Sequence, residues 1–216
     1  MDNRWALPVE ALRNGFYSAK YFVRAAQILR NAERKPDVLM QVFQRYDNTV
    51  LCGIAETIEI LRSCAGRFDE RGEWVSAWDD LTVHALDDGD TTNAWETVLT
   101  IEGDYGAFAH LESVYLGVLA DRSGIATRTR AVVEAAQGKT VLFMGDRFKD
   151  FRTQIGDGYA VHIGGVHGVC TDAHGAAWGG DAGGTMPHAL IAAYDGDTVA
   201  AAVAFAQTFP DVPVVA

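Results

Sequence analysis

The sequence predicts an α/β protein with an N-terminal α+β part to about residue 123, followed by the opening units of a parallel α/β domain. Three observations predict it. Helix-period and strand-rich runs are mixed in the first half, short apolar runs beside turn residues recur after Gly138, and an alanine-rich helical run lies between the last two of these. Length and composition agree, since 49% hydrophobic and 22% charged residues in a 216-residue chain suit a folded protein with a sizeable core.

In chain order, Pro8 to Asn31 carries a helical period through Tyr21, Phe22, Ala25, Ile28 and Leu29. "DVLMQVFQRY" reads as a strand and "AETIEILRSC" as a helix. "LTVHALDDGD" and "WETVLTIEGD" read as two strands, with the Asp-Asp-Gly-Asp cluster turning the chain between them. Tyr105 to Ala120 spaces Phe108, Leu111, Val114, Tyr115 and Val118 as a helix, and a further helix is expected from Ile125 to Gln137, stopped by Gly138. "KTVLFMG", "YAVHIGG", "GTMPHALI" and "VPVVA" read as strands, and "DTVAAAVAFAQTFP" as a helix capped by Asp197 or Thr198. Three or four βα units are too few to close a barrel, which takes eight. A terminal strand without a partner would be an open edge; the plain reading is a small open sheet completed by dimerisation, and the favoured expectation is the front part of a longer protein.

The net charge of −11 argues against a nucleic-acid or anionic-membrane surface, both of which need clustered Lys and Arg. Cys52, Cys64 and Cys170 are odd in number and show no CxxC spacing, as expected of free thiols in a reducing compartment. With no signal peptide and no apolar run of bilayer length, the expected location is the cytoplasm. His162, His167, Cys170, Asp172, His174 and His188 fit no compact zinc spacing. The two strands flanking the acidic turn have the look of a biotinyl or lipoyl carrier hairpin. No lysine lies between Leu81 and Gly103 to carry such a group.

The chemistry concentrates late in the chain. His188, in "GGTMPHAL", is expected at the carboxyl end of a strand, where an imidazole can act as nucleophile or proton shuttle. Gly183 and Gly184 before it would let a phosphate approach the backbone. "GGTMPHALIAAY", "TVLFMGDRF", "AVHIGGVHGV", "SAKYFVRAAQIL" and "WETVLTIEGDYGAFAHLESVYLGVLADRSGIATRTRAVVEAAQGK" together resemble nicotinate phosphoribosyltransferase, especially its shorter branch. "SGIATRTR" is shared with the sister family, quinolinate phosphoribosyltransferase.

The resemblance implies residues 1–123 as the N-terminal α+β domain and 124–216 as part of a (β/α) barrel. It implies transfer of ribosyl phosphate from 5-phosphoribosyl 1-pyrophosphate to nicotinate, with Mg²⁺ on the pyrophosphate. ATP hydrolysis would be coupled through phosphorylation of His188, and the assembly would be a homodimer. Arg147 would meet the pyridine or phosphate, Arg130 the pyridine carboxylate, and Tyr21 would stack on the pyridine from the partner subunit. Cys170, Gly184 and Thr185 would contact substrate. The chain departs from the family at Met144, Phe148, His167 and Cys170. Each site residue also has a plain reading: Arg147 as a surface charge paired with Asp146 or Asp150, Arg130 as a solvated helix residue, Tyr21 as core. Two other functions stay open: a quinolinate-type, decarboxylating transferase, supported by "SGIATRTR", and a non-catalytic pyridine-nucleotide-binding subunit. The later family motifs are not in these 216 residues, so little activity is expected of the chain alone.

Overall fold

A computed structural model describes residues 4–212 and 214. The first helical run is two helices, α1 (Val9–Arg13) and α2 (Lys20–Asn31). The break is set by Gly15, whose φ of +67° lies in the left-handed region, and by polar anchors beyond it. Ser18 donates to the His110 carbonyl, and the Ala19 amide donates to Ser113 Oγ at 3.0 Å. These bonds tie the inter-helix turn to the middle of the chain and leave no register for one straight helix.

Strands β1 (Asp37–Phe43), β2 (Thr49–Val50), β3 (Gly66–Phe68), β4 (Trp74–Ser76), β5 (Thr82–Ala85), β6 (Thr91–Thr92) and β7 (Thr97–Asp104) follow, with helix α3 (Ile54–Cys64) after β2. The main sheet has the order β1-β7-β5, all antiparallel, with Met40 opposite Ile101 and Val83 opposite the same Ile101. β2 pairs with β6, and β3 with β4. The acidic turn is used twice. Asp90 accepts from the Asp87 amide, while both oxygens of Asp88 accept from Ile54 and Ala55 at 2.8 and 3.1 Å. Asp88 thus places a carboxylate at the amino end of α3, where free amides and the helix dipole favour it.

After β7 come α4 (Tyr105–Phe108), capped by Asp104, and α5 (Glu112–Ala135). The two helices expected on either side of residues 121–124 are one continuous helix of 24 residues. Residues 123 and 124 therefore lie mid-helix. The polar residues there bind neighbours instead of capping: Ser123 Oγ accepts from the Cys52 amide and donates to its carbonyl, both at 3.0 Å. Leu61, Leu99, Ile101, Phe108 and Leu111 fill the first core and are fully or almost fully buried. Each such side chain contributes roughly 1.5–3 kcal/mol.

The second half is built on α5. Strand β8 (Leu142–Phe143) pairs in parallel with β9 (Gly168–Val169), and Val169 forms a parallel bridge to Ala182. Helices α6 (Gln154–Gly164), α7 (Asp172–Gly175), α8 (His188–Ala193) and α9 (Thr198–Thr208) complete the described chain. "YAVHIGG", expected as a strand, is the body of α6. Its glycines explain the difference: a Cβ at Gly158 would stand 2.0 Å from the His174 carbonyl oxygen, and one at Gly164 2.5 Å from Thr129 Cβ. Close helix packing overrides the strand-forming composition. "GTMPHALI" is likewise not a strand; only Ala182 before it pairs, and the run passes through a loop into α8. In α9, Asp197 caps by accepting from the Ala200 amide. Of the run "VPVVA", residues 213, 215 and 216 lie outside the described residues. A second core of Val50, Cys52, Ile125, Ala126, Ala160, Val161 and Val169 joins the two halves.

Candidate active site

β8, β9 and the bridge residue Ala182 run parallel, so their carboxyl ends lie on one edge, the side where α/β folds place ligands. The segments leaving that edge carry Asp146 and Arg147, then Cys170 and Thr171, then Gly183, Gly184 and Thr185. The third segment is held by the Gly183 amide, which donates to the Val169 carbonyl at 2.8 Å.

Arg147 is 88% exposed and lies 3.4 Å from Asp146 Oδ2, a loose surface pair that leaves most of its guanidinium free. Phe148, next to it, is also exposed. Cys170 Sγ donates to the other Asp146 oxygen at 3.4 Å, which links the first two segments. Burial, then the Asp146 hydrogen bond, raises the thiol pKa, so Cys170 is not an activated nucleophile.

Next to Cys170 lies His174, weighed from the sequence only as a zinc ligand and here fully buried. Its ring is edge-on to Phe143 at 5.1 Å. Thr171 Oγ lies 2.9 Å from His174 Nδ1 and donates to Gln154 Oε1 at 3.1 Å. With that hydroxyl proton on Gln154, Nδ1 is the donor and Nε2 is left without a partner among the described residues. Desolvation lowers the His174 pKa and keeps the ring neutral.

A feature missed by the sequence reading braces this edge from below. Arg122 reaches Glu56 at 3.1 Å, Asp121 at 2.8 Å and Asp157 at 3.2 Å. Asp157, fully buried, also accepts from Thr153 at 2.6 Å and pairs with Lys149 at 3.4 Å. Burial works against the Arg122 charge, yet its three carboxylates outweigh this and raise its pKa. The network ties α3, α5 and α6 to the 149–153 segment that follows Arg147. Nothing in sequence spacing signals it, because the partners come from 66 positions apart down to neighbours.

The remaining expected site residues fall in different places. His188 is exposed at the first turn of α8, not at a strand end. Arg130 donates to the carbonyls of Ile163 and Gly164, at the carboxyl end of α6, where cations are favoured. Tyr21 lies on the outer face of α2 with 66% of its surface exposed, not in the core. Gly184 and Thr185 are exposed, and a side chain at Gly184 would meet nothing within 4 Å. Neither packing nor backbone conformation demands a glycine there. Among the described residues, no three His, Cys, Asp or Glu side chains are grouped to hold a metal ion. No described helix is long and apolar enough to cross a membrane.

Comparison with known proteins bears on this arrangement. Residues 21–123 match the family model of the quinolinate phosphoribosyl transferase N-terminal domain. The match covers the antiparallel sheet and ends inside α5. A nicotinate-nucleotide pyrophosphorylase from Pyrococcus furiosus is 31% identical, with a TM-score of 0.82 over 96% of this chain and 51% of its own. NadC from Streptococcus pyogenes, 23% identical, superposes with a TM-score of 0.61 over 82% of this chain and 55% of its own. Human nicotinic acid phosphoribosyltransferase, 17% identical, has a TM-score of 0.69 over 82% of this chain and 40% of its own. The chain thus spans about half the length of the first two structures. No curated protein sequence matches it. The fold is the mixed α/β arrangement of these enzymes, without a closed barrel among the described strands. The matched family model is of the quinolinate type, and at 17% identity the human enzyme bears on fold alone. These findings favour the quinolinate-type reading over the nicotinate-type one.

Proposed function

We propose that this chain serves pyridine-nucleotide synthesis, transferring ribosyl phosphate from 5-phosphoribosyl 1-pyrophosphate to a pyridine carboxylate of the quinolinate type. The bond from the ribose anomeric carbon to pyrophosphate breaks and a bond to the pyridine nitrogen forms; the ring carboxylate beside that nitrogen leaves as CO₂, and the electron pair it leaves on the ring carbon takes up a proton from solvent. One observation carries the proposal. Arg147, Cys170 and Thr185 follow the parallel strands β8 and β9 and the bridge residue Ala182 on one edge, in a chain 31% identical to a nicotinate-nucleotide pyrophosphorylase.

In this reading the exposed guanidinium of Arg147 binds the pyridine carboxylate or a phosphate, which its planar donor fork suits. The open backbone at Gly184 and the Thr185 hydroxyl face the ribosyl phosphate. Cys170 shapes the pocket floor, and Arg130 holds the end of α6. Tyr21 would cover the ring of a partner's substrate in a homodimer. Mg²⁺ would arrive on the pyrophosphate as part of the substrate.

A second reading keeps nicotinate as the base, with ATP cleaved through a phosphohistidine. Its specific support is His188, exposed on α8 just beyond the third segment. The two are separated by one assay on a chain extended to the full length of the matched structures. Quinolinate with the phosphoribosyl donor should release pyrophosphate and CO₂ without ATP; nicotinate turnover that needs both ATP and His188 would select the second reading. Release of pyrophosphate with neither acid would reject both. Arg147→Ala should raise KM for the pyridine acid about 10- to 100-fold, the worth of one charge-assisted hydrogen bond. An unchanged KM would remove Arg147 from the site.

A further inference from the structure

A second concavity lies away from the carboxyl edge, where β1 and the 44–49 loop face α5. It encloses about 620 Å³, within the ~300–1,000 Å³ typical of small-molecule sites, and shares no residue with the three segments described above. Its floor is apolar: Val42, Leu51, Val98 and Leu119 are all buried. Phe43 and Tyr46 stand exposed on its walls, and the Phe43 ring continues into Trp95 at 5.1 Å between centroids. Trp95 is 65% exposed and holds φ at +72°, a costly backbone for a bulky residue. Its amide donates to the Gln44 carbonyl, while the Gln44 side-chain oxygen accepts from the Tyr46 amide and Thr49 hydroxyl. The rim is therefore held in shape before any ligand arrives.

Two guanidiniums line the same pocket. Arg128 folds back along α5 so that its Nη1 would lie 3.4 Å from a Cβ at Gly124, and Arg45 stands on the facing loop. Neither Arg45 nor Arg128 makes an ion pair or hydrogen bond among the described residues. The one lining carboxylate, Asp47, already accepts from the Ala94 amide. Two unpaired cations over an apolar floor complement an anion.

We infer that this pocket binds a small amphipathic carboxylate, its flat apolar body on the Val42–Leu119 floor and its carboxylate between Arg45 and Arg128. The inference does not depend on the transferase reading. It is tested on the whole chain by calorimetry with 2-naphthoate, with uncharged 2-naphthalenemethanol as control. One molecule of naphthoate should bind per chain. Arg45→Ala/Arg128→Ala should weaken naphthoate at least tenfold and the alcohol less than twofold. Leu116→Trp, which fills the pocket from a half-exposed position, should abolish both while circular dichroism stays native, and quinolinate should not compete. No naphthoate binding, equal losses for both probes in the arginine variant, or displacement by quinolinate would each overturn the inference. So would self-association in sedimentation that Leu116→Glu disperses and naphthoate does not, which would assign the pocket to a second copy of the chain.

Discussion

Arg122 and Asp157 show how a few buried charges set the local energetics. Asp157 is fully buried between two cations and a hydroxyl, so deleting its charge leaves Arg122 and Lys149 without their shared partner. Breaking a buried pair of this kind costs about 3–5 kcal/mol, and Asp157→Asn should lower the urea-unfolding free energy by that amount. His110 makes the pH-dependent counterpart. Burial, the leading cause, lowers its pKa from 6.5 to about 4, while its Nε2 lies 3.1 Å from the Cys64 carbonyl. The unfolded chain takes up a proton near pH 6.5 that the folded ring refuses until about pH 4. Stability is therefore full above pH 6.5 and falls as pH drops toward 4, by up to about 3 kcal/mol. Desolvated His174 adds a loss of the same sign. His110→Gln should flatten much of this dependence in urea melts at pH 7 and 5.

Among the elements, what the sequence showed and what it hid have separate causes. β1, β5, β7, α3 and α9 were readable because each carries its own period, turn or cap, such as Asp197 before α9. α6 was not, because its β-branched and aromatic residues signal a strand while its glycines answer to neighbours far along the chain. The unbroken α5 was hidden similarly, since Arg122 and Ser123 read as a helix end until their partners Asp157 and Cys52 are in place. At the candidate site, Arg147, Gly184 and Thr185 were named by resemblance alone, and the strand expected from Gly184 onward is a loop. The burial of His174 and the Arg122 network were not legible, because burial cannot be read from spacing. The glycines give a direct check. Gly158→Ala drives a Cβ to 2.0 Å from the His174 carbonyl oxygen and should destabilise by about 1–3 kcal/mol. Gly117→Ala meets nothing within 4 Å inside α5 and should stabilise by roughly 0.5–1 kcal/mol. Thermal melts of the two variants should move in opposite directions.

At the scale of the molecule, α5 contributes Leu111-side packing to the first core through Tyr115 and Leu119, and Ile125 and Ala126 to the second. One helix belonging to both cores, with the Arg122 network across the junction, makes the halves interdependent. Far-ultraviolet circular dichroism and tryptophan fluorescence should therefore report a single coincident unfolding transition. Separate midpoints would show that the halves unfold independently. The same helix is also a ruler. Probes placed at 117 and 135, both on its exposed side, would sit about 27 Å apart at 1.5 Å per residue. That separation should stay constant whatever the loops at the strand ends do. A distance change measured from either probe to Arg147 would then belong to the loop alone, which turns α5 into the fixed frame for watching the strand-end segments.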